Sequence, residues 1–538
     1  MGLPDNRDLL RRRILLLAFG LFFILPGIAR HDLWNPDEPR YAEVSREMQL
    51  TGDYLLPRLN GNIYTQKPPL YFWCVNLAAW VRGSLDETAA RLPSALGGIG
   101  TLVLVFEIGD LLFGKRAAWI SVAALATGFK FPLQAQTGQI DMLLVFFVTL
   151  SLYCWIRGER ENRPRFHLLF FGIAGLATLA KGPVGLLTPL LSILAFLAIR
   201  RDRAAWRRLR LGRGLLVWAA TVLIWLVPAG IQGGTGYLRQ IILHQNLTRY
   251  VNPWHHYRGF YYYLPVILVD FFPWSFLLPS ALVLAWRGRK AASGRWILFA
   301  TCWVAATLVF FSVSPAKRTV YILTMYPGMA LIMGAGLQGL ACRWPRDRGW
   351  LLWPLALAAA LAAGTAVSVP WLAAGRPQLR VLSPDLPLAV SLLLGLLALS
   401  AALAFFLAWR SGVRQAVVAL ACGSGLVFLL LSLAVLPAFD PIKSARPLSG
   451  ELLQRLGPGE TYGLYPRLEP PFLFYTKRLA VELNSPEELS RFVARPERIW
   501  LLATRRSIET IGESLRLTEV AGDQAGAEGY VLLTRSRP

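Results

Sequence analysis

Long apolar segments separated by short polar ones fill most of the chain before residue 440. A helix that spans a bilayer needs about 20 mostly apolar residues. About thirteen segments meet this requirement, and they cover residues 14–30, 91–112, 117–136, 138–156, 166–181, 183–199, 214–231, 262–286, 296–313, 319–341, 350–371, 387–409 and 415–437. The pattern predicts an all-α polytopic membrane protein of about 13 transmembrane helices over residues 1–439.

The polar segments between these helices predict their orientation. If Arg11, Arg12 and Arg13 are cytoplasmic, the inner loops are all short and basic, at 114–116, 157–165, 200–213, 287–295, 343–348 and 410–414. Cytoplasmic loops of membrane proteins carry such an excess of Lys and Arg. The pattern therefore predicts a multi-pass membrane protein with a cytoplasmic N-terminus. Two large loops, 31–90 and 232–261, then lie on the outer side of the membrane.

The tail of the chain, 440–538, follows a different pattern. It mixes short β-rich runs, such as TYGLYPRL and GYVLLT, with helix signals. Ser485 suits the N-cap of a helix, Pro486 suits its first turn, and the acidic Glu487 suits its positive end. We expect a small α/β domain here, on the outer side of the membrane.

Composition and charge agree with a membrane protein. The chain is 55% hydrophobic, its mean hydropathy is +0.44 and its formal net charge is +24. The basic residues are spread over many short loops, which favours the positive-inside rule over nucleic-acid binding. The five cysteines are scattered in or beside apolar segments and indicate neither a disulfide framework nor a zinc site.

Two adjacent carboxylates, Asp37 and Glu38, begin the first large loop. Pro39 suits the first turn of a helix and Gly52 suits its end, so a helix lying at the membrane interface is predicted between them. Both acids could cap this helix. Glu38 suits a capping and a chemical role equally, whereas Asp37, which Pro36 holds before the helix begins, favours chemistry.

A second interfacial helix is predicted after Pro69, because the apolar stretch there is too short to cross a bilayer. Lys67 lies at its start. A lysine near a helix N-terminus opposes the helix dipole, so a capping role is unfavourable. Contact with phospholipid phosphates and binding of a substrate phosphate both remain open.

Further polar residues fall at the same predicted membrane level. Asp141 lies a few residues into a predicted span, where a carboxylate is costly and usually faces a cavity or a partner. The basic or imidazole side chains predicted on this side are Lys181, His244, Arg249, Lys317 and Arg318. Carboxylates beside basic and aromatic groups suit transfer from a lipid-linked phosphate donor, because the cations would neutralise the departing phosphate.

Six motifs carry a resemblance to a known family: DEPRYAEVSREM, RLNGNIYTQKPPL, TGQIDMLL, AKGPVGLL, HQNLTRY and SPAKRTVYILTMYP. They resemble the bacterial aminoarabinose (4-amino-4-deoxy-L-arabinose) lipid A transferases. These belong to the C-type membrane glycosyltransferases (GT-C fold), which also include protein O-mannosyltransferases. The resemblance implies an undecaprenyl-phosphate sugar donor, inversion at the anomeric carbon and no nucleotide sugar. It also implies a location in the bacterial inner membrane, with the active site and the C-terminal domain in the periplasm.

The resemblance also implies roles for individual residues. Asp37 matches the catalytic acid and Asp141 a second acid, while Lys67 and Arg249 match the positions that hold the donor phosphate. The predicted cavity wall comprises Glu38, Tyr64, Lys181, His244, Lys317, Arg318 and Tyr321. The family commonly has an acidic residue before the motif lysine, where it helps to hold a divalent cation. Gln66 stands there in this chain, and because a neutral amide is a poor ligand, no metal is expected at that place.

The leading hypothesis is therefore a monomeric glycosyltransferase that acts on lipid A and no nucleic acid. A lipid A phosphate is already ionised, so Asp37 would position the sugar, whereas a hydroxyl acceptor would make Asp37 a candidate base. Transfer to protein Ser/Thr or to another envelope glycan remains an alternative. A flippase for lipid-linked sugars is a third hypothesis. It would require polar residues near mid-membrane and often repeated halves, whereas the polar residues here gather at the outer ends of the spans and no paired halves are seen.

Overall fold

The computed structural model describes residues 6–248, 257–288, 293–374, 385–509, 515–525 and 528–535. The α-helices before residue 440 are α1 Asn6–Ile24, α2 Glu38–Thr51, α3 Leu70–Arg82, α4 Glu87–Phe113, α5 Lys115–Thr127, α6 Lys130–Ala135, α7 Ile140–Glu161, α8 Pro164–Lys181, α9 Val184–Arg200, α10 Arg203–Arg208, α11 Leu211–Arg239, α12 Tyr263–Asp270, α13 Leu278–Arg287, α14 Gly294–Val313, α15 Tyr326–Ala341, α16 Gly349–Ala374, α17 Leu386–Ser411 and α18 Val413–Leu430. Short 3-10 or π segments cover Leu25–Gly27, Gln240–Thr248, Phe260–Tyr262, Trp274–Phe276, Thr319–Met325, Leu431–Val435 and Pro437–Phe439.

Later elements form the tail. Its helices are α19 Asp440–Lys443, α20 Arg446–Arg455, α21 Pro470–Thr476, α22 Pro486–Val493 and α23 Arg505–Glu509. The strands of the whole chain are β1 Arg58–Leu59, β2 Asn62–Ile63, β3 Tyr462–Tyr465, β4 Ala480–Glu482, β5 Trp500–Thr504, β6 Leu517–Ala525 and β7 Glu528–Arg535.

The predicted polytopic architecture is confirmed in its coarse form. Within the described residues, 8 helices are long and apolar enough to cross a membrane: Glu87–Phe113, Ile140–Glu161, Arg203–Gln245, Gly294–Val313, Thr319–Ala341, Gly349–Ala374, Leu386–Ser411 and Val413–Lys443. Other predicted spans coincide with shorter helices such as Val184–Arg200. The chain is therefore a mostly helical, multi-pass membrane protein, and thirteen spans remain a prediction.

Two predicted spans, 117–136 and 262–286, are broken helices. The first stops at Thr127 and resumes at Lys130 as α6, and the second stops at Asp270 and resumes at Leu278. Pro273, which lacks a backbone N–H, lies in the second break. The two breaks meet, because Phe129 donates its backbone N–H to the carbonyl of Phe272 at 3.1 Å. Sequence periodicity does not reveal such a contact between distant segments.

The first loop forms the two predicted helices, α2 and α3. Gly52 and Gly83 end them in the left-handed conformation, at φ 69° and φ 80°. The environment of α2 differs from the prediction of an interfacial helix. Its apolar side packs on α3, and the tail also contacts α2. Glu43 and Glu47 are both buried, and Glu47 accepts from the backbone N–H groups of Asn60 and Gly61 in the first loop. Protein contacts therefore stand where the sequence pattern predicts an aqueous surface.

The tail is an α/β domain, as predicted. Its five strands have the order β4-β3-β5-β7-β6, in which β3 pairs parallel with β4 and β5, and β7 pairs antiparallel with β5 and β6. Apolar clusters cover the sheet, one including Tyr462 and Trp500 and the other Leu489 and Leu501. Helix α21 contacts α2 of the first loop, so this C-terminal domain packs directly on the loop that begins with Asp37 and Glu38.

Candidate active site

A cavity opens where the first loop meets the ends of α7, α8 and α14. Its lining comprises Tyr41, Gln66, Lys67, Pro68, Ile140, Asp141, Lys181, Val184, Ile241, Gln245, Phe311, Ser314, Ala316, Arg318 and Tyr321. Five residues singled out from the sequence are among them: Lys67, Asp141, Lys181, Arg318 and Tyr321. Three cations and a carboxylate from distant parts of the chain therefore share one cavity.

Asp37 lies behind the Arg318 side of this cavity. Its Oδ2 accepts a hydrogen bond from Arg318 Nη2 at 2.8 Å and lies 3.4 Å from Gln139 Nε2. Arg40 Nη1 lies 3.7 Å from Oδ1. Burial raises the pKa of Asp37, but Arg318, Arg40 and Lys67 outweigh burial and lower that pKa below its usual value. Asp37 is therefore an ionised carboxylate at neutral pH, held among positive charges.

Asp141 and Lys181 form an ion pair in the cavity wall. Asp141 lies in the first turn of α7, where a carboxylate complements the helix dipole, and Lys181 is the last residue of α8. The Lys181 ammonium also lies 4.9 Å from the centre of the Tyr321 ring, a cation–π geometry. The ends of α7 and α8 thus bring Asp141 and Lys181 together, although the two residues are 40 positions apart in the chain.

The segment that carries Lys67 reaches the cavity from the first loop. Gln66 and Lys67 both line it. Tyr64 lies beneath them, where its ring packs edge-on against Phe72 with centroids 6.1 Å apart, and its hydroxyl is 3.5 Å from Gln66 Oε1. Tyr64 therefore supports the segment from within the apolar core, although the sequence placed it on the cavity wall.

Two residues that the sequence placed at the cavity point elsewhere. Glu38 is buried against Arg91, whose Nε donates to Glu38 Oε1 at 2.7 Å. Lys317 is also buried, and its ammonium donates to the backbone carbonyls of Ser314 and Arg258. The prediction that Lys317 lines the cavity is therefore corrected, whereas Arg318 does line it.

The second large loop is partly described. His244 is exposed in the segment Gln240–Thr248, whose Ile241 and Gln245 line the cavity. Arg249, predicted to hold the donor phosphate, lies outside the described residues. The described segment that precedes Arg249 reaches the cavity through Ile241 and Gln245.

Sequence reasoning missed several residues near the site. Tyr41 lines the cavity, but with Val44 and Met48 it occupies the apolar side of α2, where a core tyrosine and a cavity tyrosine give the same pattern. Lys130 and Asp270 are charges within predicted spans and lie at the two helix breaks. Tyr326 donates to Asp270 at 2.8 Å. A charge within an apolar span is itself a signal that could have singled out Lys130 and Asp270.

Among the residues that the structure describes, no group of three or more His, Cys, Asp or Glu side chains could hold a metal ion. Both carboxylates at the site have a side-chain cation as partner, since Asp141 pairs with Lys181 and Asp37 pairs with Arg318. The expectation of no metal at Gln66 stays a prediction.

Comparisons with known proteins support the resemblance. Residues 66–229 match the family described as Dolichyl-phosphate-mannose-protein mannosyltransferase. A protein from Pectobacterium carotovorum named undecaprenyl phosphate-alpha-4-amino-4-deoxy-L-arabinose arabinosyl transferase is 31% identical over 340 residues, which are 62% of this chain and 60% of the relative. A protein of the same name from Pseudomonas aeruginosa is 32% identical over 60% of this chain and 59% of its own length. The chain thus spans about 60% of the length of the curated relatives it matches.

The fold likeness extends further. The crystal structure of ArnT from Cupriavidus metallidurans bound to undecaprenyl phosphate has a TM-score of 0.85 and 23% identity, with 98% of this chain and 99% of that chain covered. The Archaeoglobus fulgidus oligosaccharyltransferase has a TM-score of 0.52 and 13% identity, over 95% of this chain and 69% of that chain. The predicted likeness to the aminoarabinose transferases is confirmed, and the chain has their fold.

Proposed function

We propose that the protein is an integral-membrane glycosyltransferase that moves 4-amino-4-deoxy-L-arabinose from an undecaprenyl-phosphate donor to a phosphate of lipid A, with inversion. The observation that carries this proposal is the convergence of Lys67, Lys181 and Arg318 with Asp37 and Asp141 at one cavity. The curated relatives have names that state this sugar and this carrier.

The cations suit the departing group of the reaction. When the bond between the sugar and the donor phosphate breaks, negative charge develops on the phosphate, and positioned Lys or Arg side chains stabilise it. We assign the donor phosphate to Lys67 and to Arg249, which lies outside the described residues. Asp141 would hold Lys181 at the cavity wall, where its charge adds to theirs.

The state of Asp37 favours an acceptor that is already ionised. A general base works best when its pKa is near the working pH, whereas the pKa of Asp37 is lowered by the cations around it. A lipid A phosphate needs little help from a base, since it is an anion at neutral pH. Asp37 then positions the sugar, with its amino group as a suitable partner for a carboxylate.

The proposal includes the location of the site. The first loop, the cavity and the C-terminal domain would lie on the periplasmic side of the bacterial inner membrane, and the basic residues of the opposite loops support this orientation. Both substrates are lipids and would enter from the membrane. We further propose that the protein acts as a monomer without a divalent cation at Gln66.

A second candidate function is transfer to protein Ser/Thr. The family description matched by residues 66–229 names a protein mannosyltransferase, which favours this alternative. A hydroxyl acceptor would require Asp37 as a base, and its lowered pKa makes it a weak one. Transfer to another envelope glycan would carry the same requirement.

Purified protein in proteoliposomes tests the proposal. The vesicles would contain undecaprenyl-phosphate aminoarabinose and either lipid A or a Ser/Thr-rich peptide, and mass spectrometry would detect the product. We expect lipid A to gain the mass of one aminoarabinose, and the peptide to stay unchanged. A modified peptide would favour the second candidate. Translocation of the donor without any glycosidic product would overturn the proposal in favour of a flippase, since a flippase makes no such bond.

A further inference from the structure

The C-terminal domain holds the segment that leads into Asp37. The backbone N–H of Asp32 donates to Asp440 at 3.1 Å, and the backbone N–H of Leu33 donates to the Tyr475 hydroxyl at 2.7 Å. Asn35 Nδ2 donates to Glu469 Oε2, also at 2.7 Å. Three contacts thus fix the segment 32–35 to residues of the tail, 440–538.

We infer that the C-terminal domain positions Asp37 for the transfer reaction, and that Glu469 is the positioning residue through which it does so. This inference rests on the proposed function. Glu469 touches neither the cavity nor Asp37, so its effect must pass through Asn35.

The geometry around Glu469 suits that role. Its side chain is 6% exposed, and Arg467 Nε donates to its Oε1 at 2.6 Å while Oε2 accepts from Asn35. Hydrogen bonds to an ionised acceptor are about twice as strong as neutral ones. The buried carboxylate of Glu469 thus holds Asn35, which is itself partly buried.

The chain between Asn35 and Asp37 has little freedom to absorb a movement. Pro36 is the one residue between them, and its ring fixes its φ angle. Pro39 and the first turn of α2 follow directly. A shift of Asn35 therefore passes to the backbone of Asp37 and changes the direction of its carboxylate relative to Arg318.

The domain also holds the segment that precedes Lys67. Asn60, in the turn between β1 and β2, donates from Nδ2 to the carbonyl of Ala480 and accepts from its N–H, both at 2.9 Å. Glu47 of α2 accepts from the backbone N–H of Gly61 at 2.8 Å in the same turn. The two parts of the first loop that approach the cavity thus both contact the C-terminal domain.

Substitution of Glu469 in the full-length protein tests the inference. We expect Glu469→Ala to lower kcat between about 10- and 100-fold, because small misplacements of a reacting group have effects of this size. The KM for the donor should stay within about twofold, since the contact of Asn60 with Ala480 is intact. Glu469→Gln keeps an oxygen that can accept from Asn35 and should restore most of kcat.

A matched control exists in the same domain. Glu519 forms an ion pair with Arg505 at 2.7 Å, but on an exposed part of the sheet. Glu519→Ala should leave kcat and KM unchanged. An equal loss of kcat in both variants would overturn the inference, because it would indicate a general weakening of the domain.

Asn35 supplies the second measurement. If Glu469 acts through Asn35, then Asn35→Ala lowers kcat by a similar factor, and the double variant is no slower than either single one. Multiplying losses in the double variant, or wild-type kcat in Glu469→Ala, would overturn the inference. If Glu469→Ala does not insert stably, Asn35→Ala alone decides, and an unchanged kcat overturns it. Failure of the proposed function is distinct, since then the wild-type protein itself forms no product.

Discussion

Asp37 and Glu38 are neighbours in the chain, yet their carboxylates lie in opposite kinds of environment. Glu38 accepts from Arg91 at 2.7 and 3.0 Å, from the backbone N–H of Gly138 at 2.6 Å and from that of Trp34 at 3.2 Å. The Arg91 side chain is 0% exposed. Both oxygens of Glu38 are thus occupied by hydrogen bonds inside the protein.

Asp37 is bonded less completely and on the cavity side. Its one short hydrogen bond comes from Arg318, whose side chain is 29% exposed and lines the cavity. Its other oxygen lies 3.7 Å from Arg40, which is longer than a hydrogen bond. Asp37 is as buried as Glu38, at 5% against 4% exposed, so the two acids differ in bonding and not in exposure. The fully bonded pair of Glu38 and Arg91 stabilises the fold, whereas the carboxylate of Asp37 keeps unfilled hydrogen-bonding capacity beside an arginine that lines the cavity.

The largest expected effect follows from removing the charge of Asp37. Asp37→Asn keeps the shape of the side chain but no longer offers a carboxylate to the sugar, so we expect transfer to fall about 100-fold or more. The melting temperature should change little, because Arg318 is partly exposed to water and tolerates the loss of its partner. A discontinuous assay of modified lipid A, with thermal unfolding in detergent measured on the same sample, checks both parts. Undiminished product would remove Asp37 from the mechanism.

The matched change at the neighbouring position should have the opposite character. Glu38→Gln leaves the Arg91 guanidinium buried without its counter-charge, which costs about 3–5 kcal/mol of folding free energy. We expect a low yield or a strongly reduced melting temperature, with nearly normal kcat in whatever folded protein remains. A stable Glu38→Gln protein that has lost transfer would reverse the roles of the two acids.

The elements of the site that local rules govern could be predicted from the sequence. Pro39 and Gly52 define α2, and the intramembrane carboxylate Asp141 signals a cavity or a partner. The apolar and basic segments predict the multi-pass architecture. In each case the signal lies within a few residues of the feature.

What could not be predicted depends on contacts between distant segments. Arg91 begins a predicted span, and no local pattern pairs it with Glu38, 53 residues away. Lys317 and Arg318 are adjacent basic residues that the sequence does not distinguish. The packing of their segment directs Arg318, and not Lys317, into the cavity. The cover that the C-terminal domain provides for α2 likewise depends on tertiary packing, which a helical pattern does not encode.

As the pH falls, the network of His31, Arg91 and Glu38 should lose its contribution to stability before Asp37 does. Burial, together with the nearby charge of Arg91, lowers the pKa of His31 from 6.5 to about 4 in the folded protein. The unfolded chain therefore binds a proton that the folded protein does not between these two values, so the contribution of His31 to stability is full above about pH 6.5 and is lost as the pH falls towards 4. We expect a loss of about 2 kcal/mol by pH 5.

Thermal unfolding between pH 7.5 and 5 measures this loss. In His31→Gln the side chain cannot be protonated, while its amide oxygen can still accept from Arg91. That variant should show a flatter dependence of melting temperature on pH over this range. Asp37 and Glu38, whose pKa values are both lowered, lose their contributions only at more acidic pH. An unchanged slope in His31→Gln would assign the acid sensitivity to another group.

The smallest expected effect is that of removing divalent cations. Side chains already supply positive charge around Asp37, since Arg318, Arg40 and Lys67 lower the pKa of its carboxylate. Gln66 presents a neutral amide to the cavity, and hard divalent cations prefer carboxylate oxygens. We therefore expect EDTA to leave the transfer rate unchanged within about twofold, and Gln66→Glu to create a dependence on Mg²⁺ or Mn²⁺. If EDTA abolishes transfer by the wild-type protein and Mg²⁺ or Mn²⁺ restores it, a metal must supply positive charge at the cavity. The comparison between Asp37, which side-chain cations surround, and Glu38, which Arg91 holds, then loses its basis.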